Sequence, residues 1–526
     1  MKIKTRSFKM ELYLRGCLIA VALLVLPLPG DPARILGVFP FENWSHTQFF
    51  IPLMKELAAR GHQVTVISHL KAQKPVANYT ELSLHGLVPI LGNLTINRVA
   101  DISVFEAIIH DILDIGVESC QTILESDIMR RFNQSDAAFD AVIAEIFNTD
   151  CFVPFAHRFN APLIGASSSV PYPWYSDRLG MSNNPAYVST LFYPLGSDDS
   201  LWGRLFNSFY LLATQLIYRV YYQPAAQKIA SEFFGPSTPP LTELVRNTSL
   251  LLLNSHPSIT AARALPPGAV QVAGLNLKAP KKLPQDLEEF ISGAEHGVIY
   301  FSLGSMLDAA SFEPQKKRAL IDAFAALPQR VLWRGEDDPQ AQNLPPNVKM
   351  MRWLPQLDIL CHPNTKLFIT HGGLFSLIES ISAATPVLGM PLFADQFDNM
   401  KNAEEVGFGL FLHYSHLTKE NILRLITKLL SDSRYAETAK VVSDRFKDRP
   451  MSPMDTAIYW VEYVVRHRGA PHLKSQAVNL PWYKLYLLDV ILFIVCLMLA
   501  MYKTVKLIIK STLCTTSTTP KKHKLM

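Results

Sequence analysis

Residues 353–396 read WLPQLDILCHPNTKLFITHGGLFSLIESISAATPVLGMPLFADQ, and this stretch decides the fold. Lys366 to Thr370 is an apolar run too short for a helix, closed by His371-Gly372-Gly373, so it reads as a buried parallel strand ending in a tight turn. Leu374, Leu377, Ile378 and Ile381 then recur at helical spacing until Pro386, and Val387 to Met390 reads as the next strand. Strand, glycine turn, helix, strand and loop form one βαβ unit of a doubly wound sheet.

The chemistry of that unit points to a nucleotide sugar. Two glycines let the backbone approach a ligand, and the new helix offers unpaired N–H groups and partial positive charge to a diphosphate. His371 adds a donor beside Gly373, and Ser376 lies in the first helical turn. Glu379, one turn on, can take two ribose hydroxyls. Asp395 and Gln396 follow the next strand, where a sugar on the diphosphate would hang.

A Gly-Gly turn alone is common, but W-x-P-Q, H-G-G, a helix bearing Glu and P-x-x-A-D-Q in this order are specific. The stretch resembles the signature of the UDP-glycosyltransferases, inverting and metal-independent enzymes. The likeness extends over almost the whole chain. It implies a GT-B fold: two Rossmann-like α/β domains facing a cleft, followed by a C-terminal transmembrane helix. It implies a UDP-sugar as co-substrate, with UDP-glucose the expected donor because the sequence is most similar to arthropod members. It implies no cofactor and no metal, in keeping with a sequence that lacks an Asp-x-Asp motif. Where Ser376 stands, the family usually carries Asn.

Upstream, Gly297 to Ser302 reads as the first strand of this second domain, and its Leu303-Gly304-Ser305 turn makes Ser305 a phosphate contact. Arg330 to Arg334 is the next strand. In the family, Arg at the position of Arg334 contacts the uracil end. Trp353 offers a flat stacking face, and the backbone near Gln356 reads the polar edge of the base. The expected domain spans 285–445, after a Pro- and Lys-rich linker from Lys278 to Pro284.

The first domain, 31–277, opens with a βαβ unit: a strand from Arg34 to Pro40, a helix to Arg60 and a strand from Gln63 to Ser68. His46 falls between the strand and the helix, at the carboxyl edge where open α/β sheets bind ligands. An imidazole there can serve as general base, and a carboxylate on its second nitrogen would fix the tautomer. The resemblance places the catalytic His at His46. The family's partner Asp follows a strand corresponding to Ala141–Ala144, where this chain has Glu145. Asp150, five residues on, is the other candidate. Ser249 to Asn254 reads as the domain's last strand. The aromatic region from Pro171 to Gln223 reads as loops and one or two amphipathic helices over an acceptor pocket, with contact to a membrane surface a further reading.

Composition narrows the function classes. At 526 residues the chain exceeds one core, and 49% hydrophobic against 18% charged residues suits a folded body that touches a membrane. The net charge of +5 gathers partly at the two ends, and no basic aromatic patch suggests nucleic acid. Six cysteines without a C-x-x-C spacing imply neither a zinc site nor a disulfide framework, leaving room for one disulfide.

Residues 1–30, basic then apolar, read as a signal peptide. Sequons at Asn78, Asn93, Asn133 and Asn247 then suit a lumenal body, whereas Asn43, beside His46, is not expected to be glycosylated. After helices at 446–481 that brace the first domain, Trp482 to Tyr502 would span about 31 Å as a helix. Asp489 lies in its first third. The basic tail, 503–526, places that end in the cytosol, and its terminal lysines resemble an endoplasmic reticulum retrieval signal.

The expected activity is transfer of a hexose to a small lipophilic acceptor. Glucuronosyl transfer and a catalytically silent carrier of hydrophobic ligands are the alternatives, Glu145 and Ser376 being the departures that sustain the second. Association into homo-oligomers is left open.

Overall fold

The computed structural model describes residues 32–71, 75–88, 94–101, 106–190, 200–308, 311–335 and 344–516. The expected signal peptide, the sequon at Asn93 and the terminal lysines lie outside them.

Two parallel sheets form the body. The first comprises β1 (Arg34–Phe39), β2 (Gln63–Ser68), β3 (Tyr79–Ser83), β5 (Ala141–Glu145), β6 (Leu163–Ser167), β7 (Thr248–Leu253) and β8 (Ala269–Gln271). Their order is β3-β2-β1-β5-β6-β7-β8. The second comprises β9 (Val298–Ser302), β11 (Arg330–Arg334), β12 (Val348–Met351), β13 (Thr365–Thr370), β14 (Val387–Gly389) and β15 (Gly409–Phe411), in the order β12-β11-β9-β13-β14-β15. Strands β5, β7 and β9 are buried along their whole length, as apolar runs covered on both faces must be.

Strand order fixes where ligands can bind. In the first sheet the chain builds outward from β1 through β3 and returns to place β5 against β1. In the second it builds outward from β9 through β12 and returns to place β13 against β9. Crevices open outside the carboxyl ends of strands at such reversals. One holds His46 and Glu145. The other holds the Leu303-Gly304-Ser305 and His371-Gly372-Gly373 turns.

The domains touch through a short parallel pair, β4 (Leu94–Thr95) on β10 (Leu307–Asp308), and through Ile96 N–H, which donates to Ser311 Oγ at 2.9 Å. The Asn43 amide reaches Met306 Sδ at 3.1 Å, and the Phe49 and Phe375 rings meet edge to face at 6.4 Å. The Pro453–Arg466 helix crosses back to the first domain. Ala457, Ile458, Val461 and Val464 join its core with Ile35, Leu53 and Leu57, and Arg60 pairs with Asp455 at 2.5 Å.

Some boundaries differ from expectation. β7 is not the last strand of the first sheet: the three-residue β8, too short for a periodic signal, follows at its edge. The membrane-type helix runs Leu488–Thr516 rather than starting at Trp482, because Leu487 takes φ 53° and separates it from a one-turn helix at Trp482–Leu485. Leu488–Leu513 is the one helix among the described residues long and apolar enough to cross a membrane. Asp489 therefore sits in the first helical turn, where the carboxylate meets the positive end of the helix. Cys120 and Cys151 form a disulfide, tying the loop after β5 to the Ile115–Leu124 helix.

Candidate active site

His46 is the third residue of the Trp44–Ala59 helix. Asn43 caps that helix, its Oδ1 accepting from Ser45 N–H at 2.8 Å. The cap fixes the helix start, and Nδ1 of His46 meets Glu145 Oε1 at 2.6 Å across the β1–β5 crevice. The Glu145 side chain is almost wholly buried, and its other oxygen accepts from Phe41 N–H at 3.4 Å. Ser168 Oγ stands 3.1 Å from Nδ1 and 3.2 Å from Nε2. The imidazole is held between the Phe41 and Phe147 rings, with centroids at 4.7 and 4.8 Å.

Asp150 takes no part in this arrangement. It is buried, ion-paired to Arg178 and accepts from Gln223 Nε2 at 3.1 Å. Its carboxylate is balanced by the buried Arg178 guanidinium instead of facing His46. Arg178 and Ser168 were not singled out from sequence. Arg178 lies in the aromatic region, and Ser168 in a serine run after β6 that reads as an ordinary turn.

On the opposite wall, Thr370 pairs with Ser302 in register, so the turns after β9 and β13 lie side by side. The His371 imidazole packs between Gly304 and Gly373. A Cβ at Gly304, which has φ +77°, would stand 2.6 Å from the ring, and one at Gly373 2.5 Å. Burial, with Arg334 nearby, pushes the His371 pKa down to about 4, so the ring is neutral and donates one N–H. Gly373 begins the Leu374–Ser382 helix with no side-chain cap. The Asp395 carboxylate interacts with the Leu374 N–H there, in keeping with the preference of a helix start for negative charge.

Behind them Gln356 Nε2 donates to Glu379 Oε2 at 2.7 Å and to Ser376 Oγ at 3.4 Å, while Tyr300 OH donates to Gln356 Oε1 at 3.3 Å. Burial raises the Glu379 pKa to about 6. Ser305 is exposed. Trp353 is 62% exposed, with the Arg334 guanidinium 5.1 Å above its ring, so a flat, cation-backed face is open to a planar base.

The loop from Pro391 turns on Ala394, whose φ of 54° is left-handed. Gln396 is buried, and its Oε1 accepts from Leu392 N–H and Phe393 N–H at 2.9 and 3.2 Å. Its carbonyl therefore holds the loop, where the sequence reading expects a contact to a sugar hydroxyl. Asp395 accepts from Asn399 Nδ2 at 2.8 Å. Burial raises its pKa, with Asn399 and the nearby His46 opposing the shift. The same loop thus lies within electrostatic range of the first domain's imidazole.

Among the sequons, Asn78 and Asn247 are exposed. Asn133 is half-buried and donates to Phe233 O at 3.4 Å. Asn43 is buried as the helix cap.

The exposed Trp353 ring, the helix start at Gly373 and the half-buried Glu379 on one domain face a carboxylate-held imidazole on the other, across two parallel Rossmann-like sheets of the GT-B type. Solved glycosyltransferases share the fold. The CalG4 calicheamicin glycosyltransferase aligns at TM-score 0.55 and 19% identity over 83% of this chain and 99% of its own, and the kitacinnamycin glycotransferase at 0.56 and 16% over 83% and 100%. The family model described as "UDP-glucoronosyl and UDP-glucosyl transferase" matches residues 35–524, and the chain belongs to that family. UDP-glycosyltransferase UGT5 of Dactylopius coccus is 37% identical over 89% of this chain and 90% of its own length. UDP-glucosyltransferase 2 of the same insect is 38% identical over 94% and 96%, and human UDP-glucuronosyltransferase 2B15 is 31% identical over 88% and 90%.

Proposed function

We propose that this UDP-glycosyltransferase moves glucose from UDP-glucose to a hydroxyl of a small lipophilic acceptor, with inversion at the anomeric carbon and without a metal. The observation that carries the reading is the 2.6 Å contact of His46 Nδ1 with buried Glu145, in a crevice facing the helix start at Gly373.

Nδ1–H donates to Glu145, leaving the Nε2 lone pair to take the acceptor's hydroxyl proton. The acceptor oxygen bonds to C1 as the bond from C1 to the UDP oxygen breaks, and UDP departs with the electron pair. Glu145 stabilises the imidazolium formed. His371 N–H, Ser305, Ser376 and the helix N–H groups receive the diphosphate charge. Glu379 takes the ribose hydroxyls, and Arg334, Trp353 and the backbone at Gln356 hold uracil. Asp395 orients the hexose, and Gln396 sets the loop that carries it. Phe41, Phe147 and Tyr172, in ring contact around His46, suit an apolar acceptor.

Glucose is preferred because the relatives of higher identity are insect enzymes, one bearing a glucosyltransferase name. Glu145 and Asp395 would also crowd a uronate with like charge. The apolar C-terminal helix and the lysines that follow its first half suit an endoplasmic reticulum protein with its body in the lumen and its tail in the cytosol.

The test is turnover and UDP calorimetry on wild type and His46→Ala. Wild-type product formation, lost in the variant while UDP still binds, supports transfer through His46. UDP binding without turnover in either protein would favour a carrier. Product only from UDP-glucuronate would replace the donor assignment.

A further inference from the structure

The Leu201–Ile217 helix of the first domain is inside out. The residues it turns toward the protein are Gly203, Asn207, Leu211 and Thr214, so Leu211 is the one large apolar side chain on its inner face. Asn207 is fully buried: its Oδ1 accepts from Thr190 N–H at 2.9 Å, and its Nδ2 donates to Pro185 O and Val188 O at 2.7 and 2.8 Å. The opposite stripe is apolar and faces outward: Trp202, Leu205, Phe209, Leu212, Leu216 and, past the helix end, Val220 are each between 52 and 67% exposed. Their spacing keeps them on one face over about 27 Å of helix. A water-facing helix has the reverse arrangement, and an apolar row of this length outside a core marks contact with something apolar.

What covers it follows from its place in the fold. Near its end the helix is tied to residues 173–177: Gln215 Nε2 donates to Pro173 O at 2.9 Å, and Arg219 pairs with Asp177 at 2.5 Å. The next residues of that segment hold the chain on its way to the membrane. Leu179 O accepts from Ser475 N–H at 3.0 Å, and Gly180 lies so close to Val478 N that a Cβ would stand 2.9 Å away. The membrane helix begins at Leu488. Between them, Trp482, Tyr483 and Tyr486 are exposed, as residues at a bilayer interface are. The apolar stripe is therefore anchored beside the point where the chain enters the bilayer.

We infer that the Leu201–Ile217 helix lies in the lipid interface, its Trp202–Leu216 stripe among the acyl chains, and that the first domain is held on the membrane by this second contact. This rests on the membrane reading of Leu488–Leu513 and not on the proposed reaction. An acceptor partitioned into the bilayer would then enter from the side of the aromatic wall that runs from Phe147 through Tyr172 and Trp174 to Tyr218.

The experiment reconstitutes the full chain in phosphatidylcholine vesicles doped with a diazirine-bearing phosphatidylcholine, followed by photolysis and mapping of lipid adducts. Adducts are expected on peptides from 201–222 as well as from 488–513. A Leu205→Asp, Phe209→Asp, Leu212→Asp, Leu216→Asp variant should lose the first set and keep the second, with unchanged UDP affinity reporting an intact fold. Adducts confined to 488–513 in the wild type would overturn the inference. So would protein–protein cross-links at 201–222 in place of lipid adducts, since they would assign the stripe to a second copy. If the protein turns over no acceptor, the reaction proposal fails and the adduct map still decides this one.

Discussion

The two helix starts at the cleft are built alike and equipped differently. Each follows a central strand at the switch point of its sheet, yet the first is capped by Asn43 and the second, at Gly373, has no side-chain cap of its own. At the first start Asn43 takes the Ser45 N–H, and the helix presents a side chain, His46, held against Glu145. The second start presents backbone, and the side chains around it are neutral or half-buried: His371 with its pKa near 4, Ser376 and Glu379. On the proposed reading, one crevice moves a proton and the other holds an anion. The same supersecondary unit serves both, with a different residue at the cap position in each.

His46→Ala should break the contrast most: kcat falls by about a thousandfold, with UDP affinity unchanged by calorimetry. Glu145→Gln, measured in the same assay, keeps the packing but cannot stabilise an imidazolium; kcat should drop by roughly a hundredfold with little change in KM.

Glu379→Gln probes the other side. The fold raises the Glu379 pKa from the usual 4.5 to about 6, so it retains its proton more firmly than the unfolded chain does. The associated stability is present below the unfolded value and lost as pH rises through about 6, which leaves a cost of roughly 1 to 2 kcal/mol at pH 7. The Gln variant should therefore melt higher at pH 7 while binding UDP more weakly. On the proposed role of Glu379, the ribose hydroxyls need the ionised carboxylate, so wild-type UDP affinity should fall roughly tenfold between pH 7 and pH 5. The variant should lose that dependence.

Asn43→Ala has the smallest effect, about 1 kcal/mol of stability read by thermal melting. UDP affinity should stay close to the wild-type value, because the amide touches the second domain only through the Met306 sulfur, a weak acceptor.

How much of this was legible beforehand varied with what each residue answers to. The strands β1, β2, β11 and β13 followed from apolar runs bounded by turns, and their order made His46 and the His371-Gly372-Gly373 turn neighbours of a crevice. Glu145 could be placed at a strand end, but the choice between it and Asp150 depended on Arg178, a cation that the fold brings in from a distant loop. Gln396 carries a sugar-facing motif, yet its carbonyl is spent on backbone N–H groups of its own loop, a contact with no periodic signature. The helix break at Leu487 is hidden because the sequence is apolar on both sides of it. The outward stripe of the Leu201–Ile217 helix had the spacing of any amphipathic helix. Only burial shows that its sides are reversed.

The return of the Pro453–Arg466 helix to the first domain governs how the molecule can be taken apart. A cut in the irregular segment 278–284 looks like a clean division, but it would strip Ala457, Ile458, Val461 and Val464 from the amino-terminal half and expose the groove they fill. Chimaeras that exchange acceptor preference between relatives should therefore transplant 453–466 along with residues 32–277, as one discontinuous cassette.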